Sequence, residues 1–441
     1  MNPTRKFSLT VIAVGFSTAL LVSCGGSDDD TVTPVAEAAS VTVPFTNGAV
    51  TTSNAVAYWN KIATDTINVA PATTGTAEEQ RPFFTVDLAT VHVAIYDAVS
   101  AIVGTHKAFA ATPVTPAAGA SQEAAAAAAA YGALKGLFPN RSAQYQAAYD
   151  DFVAAIPAGE AKTRGIAVGS EVATAIVALR ANDGRSTAVT YTAGTAPGNF
   201  RGVNPIGTFN RFTKPFTLTS ASQFRSAQPP ALDSAAYATD FNEVLAWGGT
   251  TSVLRSAAQF EAARFHTDPP GIVQPRNYRS FAMDSRSLAD NARTMALIWV
   301  AQADASIACF ETKYFYDFWR PVSAITLADT DGNAATTKDA AWTPAVPTPN
   351  HPEYPAAHTC TNGAGMAALK AAYATSQIAF SYNSTVTGTV RQYATPDDFL
   401  NEIVLARIHG GMHFRTSGMQ GGVLGANVGE WVAKNYFRPR D

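Results

Sequence analysis

The sequence predicts an all-α protein, a single multi-helix bundle domain with long ordered loops. Three observations point there: apolar residues recur at helical spacing over many stretches, alanine runs favour helix, and strand signals are few and short. The 441 residues are 47% hydrophobic and 15% charged, enough apolar material for a sizeable core, and the Phe, Tyr, Leu and Val content excludes general disorder. A formal net charge of -3 excludes a broad basic nucleic-acid surface. Three cysteines are too few and too scattered for a disulfide scaffold or a cysteine-based metal site.

The chain begins with Arg5 and Lys6, then one apolar run from Leu9 to Val22, the pattern of a secretory signal. The run is shorter than the ~20 residues a membrane-spanning helix needs. Leu21-Val22-Ser23-Cys24 resembles the lipobox of bacterial lipoproteins, which implies acylation of Cys24 and an exported protein held at the cell envelope, on the periplasmic face, by its lipid anchor. Residues 1–23 are thus expected to be a signal peptide, 24–53 a flexible tether, and 54–441 the helical domain. In an oxidising compartment Cys309 and Cys360 are free to pair, and sequence spacing alone does not decide whether they do.

Dense apolar positions such as Phe84, Val86, Leu88, Val91 and Ile95 predict a buried helix over 83–103. Ser121 with Glu123 opens the next, an alanine helix running to about 137. Further helices are expected near 143–156 and 161–181, the latter stopped by Asn182-Asp183-Gly184. Residues 185–235, rich in Gly, Pro and Thr, read as a long loop wrapped on the bundle. Periodicity returns at 234–247, 256–265 and 288–317, lapses over a second loop at 329–356, and resumes near 358–374, 396–407 and 421–436. Asp329, Asp331 and Asn333 hint at a calcium loop, but the Glu that such a loop requires is missing, and a solvated turn is the better reading.

Three segments carry cations and imidazoles. In Lys313-Tyr-Phe-Tyr-Asp-Phe-Trp-Arg320-Pro321, seven residues of helix are close to two turns, so Lys313 and Arg320 are expected on one face, with Asp317 as their alternative, purely structural, partner. In His351-Pro-Glu-Tyr-Pro355-Ala356-Ala357-His358, a helix start offers unsatisfied amides as an oxyanion seat, with His358 either an acid/base or an ordinary cap. In Arg407-Ile-His409-Gly410-Gly411-Met412-His413, the glycines end one helix and turn the chain so that His413 starts the next element. His92, His106 and His266 read as core or surface fillers, and His409 and Arg415 as exposed.

In this order and spacing the segments resemble the vanadium-dependent haloperoxidase and type 2 phosphatidic acid phosphatase superfamily, whose pattern is K-x6-RP, PSGH and SR-x5-H. Val91-His-Val-Ala-Ile-Tyr-Asp-Ala-Val99 and Lys214-Pro-Phe-Thr-Leu218 extend the likeness to its bacterial haloperoxidase-like branch. The resemblance implies that Lys313, Arg320, Ala357 and Arg407 hold the oxygens of vanadate or phosphate. It makes His413 the axial vanadate ligand or a phosphorylated nucleophile, and His358 the acid/base. It also puts His351 where bromide-oxidising members carry a second histidine. Implied activity is oxidation of bromide or iodide by hydrogen peroxide with vanadate as cofactor. A phosphomonoesterase working through phospho-His413 needs none, and a non-catalytic oxyanion-binding lipoprotein is the third reading. Implied partners are peroxide, halide and a small organic acceptor, or a phosphate ester, with a homodimer open. Departures from the pattern are Ala356 and Ala406 for serines, Ala357 for glycine, and Ser417 in place of the aspartate that orients the histidine in phosphatases.

Overall fold

A computed structural model describes residues 40–43, 50–67, 69 and 71–440. The expected signal peptide, Cys24 and most of the expected tether lie outside these residues. Helices α1 (Ala55–Ile67), α2 (Ala77–Gln80) and α3 (Phe84–Val103) come first. Then follow α4 (Gln122–Leu137), α5 (Ser142–Ala154) and α6 (Glu160–Arg180). After a long loop come α7 (Ala235–Trp247), α8 (Ala257–Phe265), α9 (Pro270–Tyr278) and α10 (Leu288–Tyr316). The C-terminal part holds α11 (Pro321–Thr326), α12 (Ala357–Tyr373), α13 (Pro396–His409) and α14 (Arg415–Asn435).

The helical expectation holds, with a small sheet beside it. Strands β1 (Val41–Val43), β2 (Ile378–Asn383) and β3 (Val390–Tyr393) lie in that order, β1 parallel and β2–β3 antiparallel. Val41–Val43 fall inside the stretch expected to be tether, so for these three residues that reading is corrected: Val43 is buried and pairs with Phe380. Helix α14 starts six residues before the expected 421, at Arg415. Helix α3 is long and apolar enough to cross a membrane, yet most of it is buried inside the bundle as a core helix.

Helix α10 lies against α3, α12 and α14, and carries the central core residues Met295, Leu297, Ile298 and Trp299. Ser287 caps its start by accepting from Asp290 N–H at 3.1 Å. Cys309 near its end forms a disulfide with Cys360 on α12, with Cα atoms 6.3 Å apart. Helices α12 and α14 approach backbone to backbone because Gly421, Gly425 and Gly429 recur every fourth residue along one face of α14. A methyl group at these positions would meet the carbonyl oxygens of Ala356, Cys360 and Ala364 respectively. This seam fixes the start of α12, where Ala356 is the N-cap residue.

Gly425→Ala should therefore push the two helices apart and lower stability by about 1–3 kcal/mol. Urea unfolding of the variant and the parent measures this, and coincident transitions would show that the seam is not tightly packed.

Candidate active site

Helix α10 ends before Arg320, because Asp317 turns left-handed at φ 49°. Arg320 becomes the N-cap of α11, with Pro321 at its first position, where a missing N–H costs nothing. The expectation that Lys313 and Arg320 share one helical face is thus corrected: they reach the site from two elements. Nor is Asp317 their counter-ion. It accepts from the Tyr191 hydroxyl at 2.8 Å, while Phe200 N–H binds its carbonyl and Trp319 N–H binds Gly198 O, both at 2.8 Å. The 185–235 loop therefore clamps the break that aims Arg320 inward.

All the predicted cations converge. Lys313 Nζ donates to Pro352 O at 2.8 Å and Glu353 O at 3.0 Å. Arg320 donates through Nε to His351 O at 2.8 Å, through Nη1 to Met412 O and His413 Nε2, both at 2.9 Å, and through Nη2 to His351 Nδ1 at 3.0 Å. Arg407 donates through Nη1 to His266 O at 3.0 Å, while its buried Nε has no partner. Gly410 and Gly411 end α13 as expected, with Gly411 at φ 77°, and Met412 N–H folds back onto Arg407 O at 3.0 Å.

The structure corrects the reading of His413. Ser417 does replace the phosphatase aspartate, yet the imidazole has a carboxylate partner: Nδ1–H donates to Glu353 Oε1 at 2.9 Å. Phe414 N–H binds the same oxygen at 3.0 Å, and the Ser417 hydroxyl donates to Glu353 O at 3.3 Å. Proton placement follows from these bonds. With hydrogen on Nδ1, Nε2 carries the lone pair that accepts from Arg320 and that a ligand atom would need.

Lys313, Arg320, Arg407, His413 and Glu353 are each 0–1% exposed. Three cations thus face one carboxylate in a dry interior. Burial pulls the Lys313 ammonium well below its ordinary range, helped by Arg320 and Arg407. It brings Arg320 down to about 10, and with Arg320's charge it brings Arg407 to about 9. The imidazoles of His351, His358 and His413 are held neutral, first by desolvation and then by the cations. Desolvation pushes the Glu353 carboxyl up to about 7 even though Arg320 and Lys313 pull it down. A small multiply charged anion would favour the charged forms of Lys313, Arg320 and Arg407. The residues present fit one, with Arg407 Nε and the first-turn amides of α12 as unused donors.

Ala357, His358, His351 and Arg407 are among the residues lining a cavity of about 670 Å³. Ala357 and His358 are half-buried, and Ala356 gives α12 no side-chain cap. His266, set aside as a filler in the sequence, orients Arg407 through its carbonyl and is itself held by Glu402 at 2.9 Å. No spacing rule links positions 266 and 407, so only the fold shows this. His409 is mostly buried, and Arg415 pairs with Glu243. His92 is buried against Asn60 at 3.1 Å, and His106 forms a bridge with Pro439; neither takes part. Asp331 accepts from Asn333 N–H and the Thr336 hydroxyl, each at 2.8 Å, which closes a turn.

The helical bundle that buries these three cations around a neutral imidazole has the fold of the bacterial vanadium-dependent haloperoxidases. Residues 293–441 match the family model of the VCPO second helical-bundle domain. The first bacterial vanadium-dependent iodoperoxidase structure superposes with a TM-score of 0.68 at 20% identity, covering 90% of this chain and 99% of that one. A bacterial vanadium-dependent chloroperoxidase superposes in its apo form with a TM-score of 0.62 at 16% identity (83% and 95% covered). Its holo form gives 0.63 at 15% identity (84% and 94% covered). Among curated proteins none matches the chain.

The Glu353 carboxyl supplies a pH test. Its folded pKa of about 7 lies above the ordinary 4.5, so its stabilising contribution is complete below pH 4.5 and lost as pH rises through about 7. Glu353→Gln lacks that proton equilibrium. In anion-free buffer its stability relative to the parent should improve by up to roughly 3 kcal/mol between pH 4.5 and 8, read from urea unfolding. Parallel stability curves would show that Glu353 is not the strained carboxyl.

Proposed function

We propose that the chain is a vanadate-dependent haloperoxidase that oxidises bromide or iodide with hydrogen peroxide. The observation that carries this is His413, buried among Lys313, Arg320 and Arg407, with its proton fixed on Nδ1 by Glu353 and its Nε2 lone pair directed at the cations. Bound vanadate would supply Lewis-acid activation of the peroxide. The protein's own groups do the rest. Lys313, Arg320, Arg407 and the Ala357 amide would hold the vanadate oxygens by charge-assisted hydrogen bonds, for which Arg320 would give up its contact to His413 Nε2. His358, half-buried at the cavity wall, accepts a proton from incoming peroxide and returns it as water leaves. His351 lines the same cavity, in keeping with bromide or iodide and not chloride. Halide, peroxide and one proton give hypohalous acid and water.

One observation favours a second reading. A neutral imidazole oriented by a carboxylate is also a competent nucleophile, so Glu353 gives a phosphomonoesterase the partner that Ser417 cannot. Cation placement serves both reactions equally.

Purified protein with vanadate, peroxide and bromide or iodide should halogenate a phenol-red indicator, and His413→Ala should lose at least 100-fold. Absence of vanadate-dependent turnover overturns the proposal. Turnover of p-nitrophenyl phosphate that vanadate inhibits and His413→Ala abolishes would establish the second reading instead.

Ala356 offers a gain-of-function check. Ala356→Ser restores a hydroxyl at the N-cap, where it donates to an anion oxygen, and vanadate should bind about ten- to 100-fold more tightly by calorimetric titration. Unchanged affinity would mean that the anion does not sit at the α12 start.

A further inference from the structure

Arg407 is held from behind by a clamp that lies outside the cation cluster. His266 is the C-cap residue of α8, which packs against α13. Its carbonyl accepts from Arg407 Nη1 at 3.0 Å, and its ring Nε2 meets Glu402 Oε1 at 2.9 Å. Glu402 and Arg407 both belong to α13, about one and a half turns apart. The same helix therefore grips one residue twice, by its ring and by its main chain.

The hold on the ring is firm because Glu402 is itself fully engaged. Oε1 also accepts from the Tyr393 hydroxyl, and Oε2 accepts from Arg391 Nη1, both at 2.7 Å. Burial alone would raise the Glu402 pKa, but the bonds from His266 and Tyr393 and the Arg391 charge bring it down to about 2. Charged at neutral pH, this carboxylate can only accept, which places the His266 proton on Nε2. Phe265 and Phe399 flank the imidazole, with ring centroids 5.0 and 5.9 Å away. With His266 O fixed in this way, Arg407 commits Nη1 to it. An anion must then be met by the other side of the planar fork, where Nη2 carries no bond among the described residues.

We infer that Glu402 is a positioning residue: through His266 it fixes the Arg407 guanidinium, and with it the edge that Arg407 presents to the oxyanion. Glu402 does not touch the anion. This deepens the oxyanion reading of the site and, for its catalytic meaning, rests on it. The clamp itself needs no ligand.

Calorimetric titration of the purified protein with orthovanadate, together with crystal structures grown without ligand, tests the assignment. Glu402→Ala should weaken vanadate binding about ten- to 100-fold and release Arg407 Nη1 from His266 O. His266→Leu keeps the carbonyl but loses the ring bond, and should do the same. Glu402→Gln keeps Oε1 as an acceptor for the His266 ring, so it should recover most of the affinity. Glu261→Ala removes the carboxylate on the other arm of Arg391 and should bind vanadate like the parent. That comparison separates positioning from a general loosening around Arg391. Parent-like affinity in Glu402→Ala, Nη1 still on His266 O in that variant, no recovery in Glu402→Gln, or an equal loss in Glu261→Ala overturns the assignment. If the parent takes up no vanadate, the oxyanion reading falls alone, because the structures still decide what holds Arg407.

Discussion

Positive charge buried in excess of its counter-charge is the constraint on which the rest of this structure depends. Lys313, Arg320 and Arg407 sit in the interior with Glu353 as their only carboxylate neighbour among the described residues. A second buried network in the same molecule shows what balance looks like. Arg180 and Arg185 are there matched by Asp183 and Asp87, with Arg185 bonded to Asp87 at 2.6 Å and to Asp183 at 2.9 Å. Such a network is self-sufficient. The first is not, because a charge withdrawn from water without a partner costs several kcal/mol. The proposed oxyanion would supply the missing counter-charge, and the elements around the cations hold them in place.

Those elements are specific. The break at Asp317, the loop that grips it, the Cys309–Cys360 disulfide and the glycine seam of α14 against α12 fix the cations and the helix start relative to each other. None relies on contacts among the cations themselves, which would repel. These groups can therefore be charged without being mobile, which preorganised electrostatic stabilisation requires. Glu353 adds a different kind of control. It sets the tautomer of His413, so a change at 353 alters the histidine's chemistry without moving its ring.

Much of this was legible in the sequence, and the rest was hidden for physical reasons. Long helices such as α3 and α10 bury enough surface to impose a clear 3.6-residue period, so their existence and ends could be read within a residue or two. Helix α9 escaped because Pro270 and Pro275 look like breakers, though the first sits where a helix tolerates it. The break before Arg320 did have a signal, the following Pro321, which disfavours helix at the preceding residue. Strand β1 is three residues long, and its pairing with Ile378–Phe380 leaves no local trace. Glu353 lies in a proline-flanked loop with no period at all, so its role emerged only when the chain brought it against His413, sixty residues away.

The central claim, that one multiply charged oxyanion balances the buried cations, can be tested without any assumption about turnover. Thermal unfolding of the chelator-treated protein should be followed against orthovanadate and, separately, against chloride at matched ionic strength. Specific binding to the native state predicts a midpoint that climbs with the logarithm of vanadate concentration above its dissociation constant, and no comparable rise with chloride. A midpoint indifferent to vanadate, or one that follows ionic strength alone, would contradict the account.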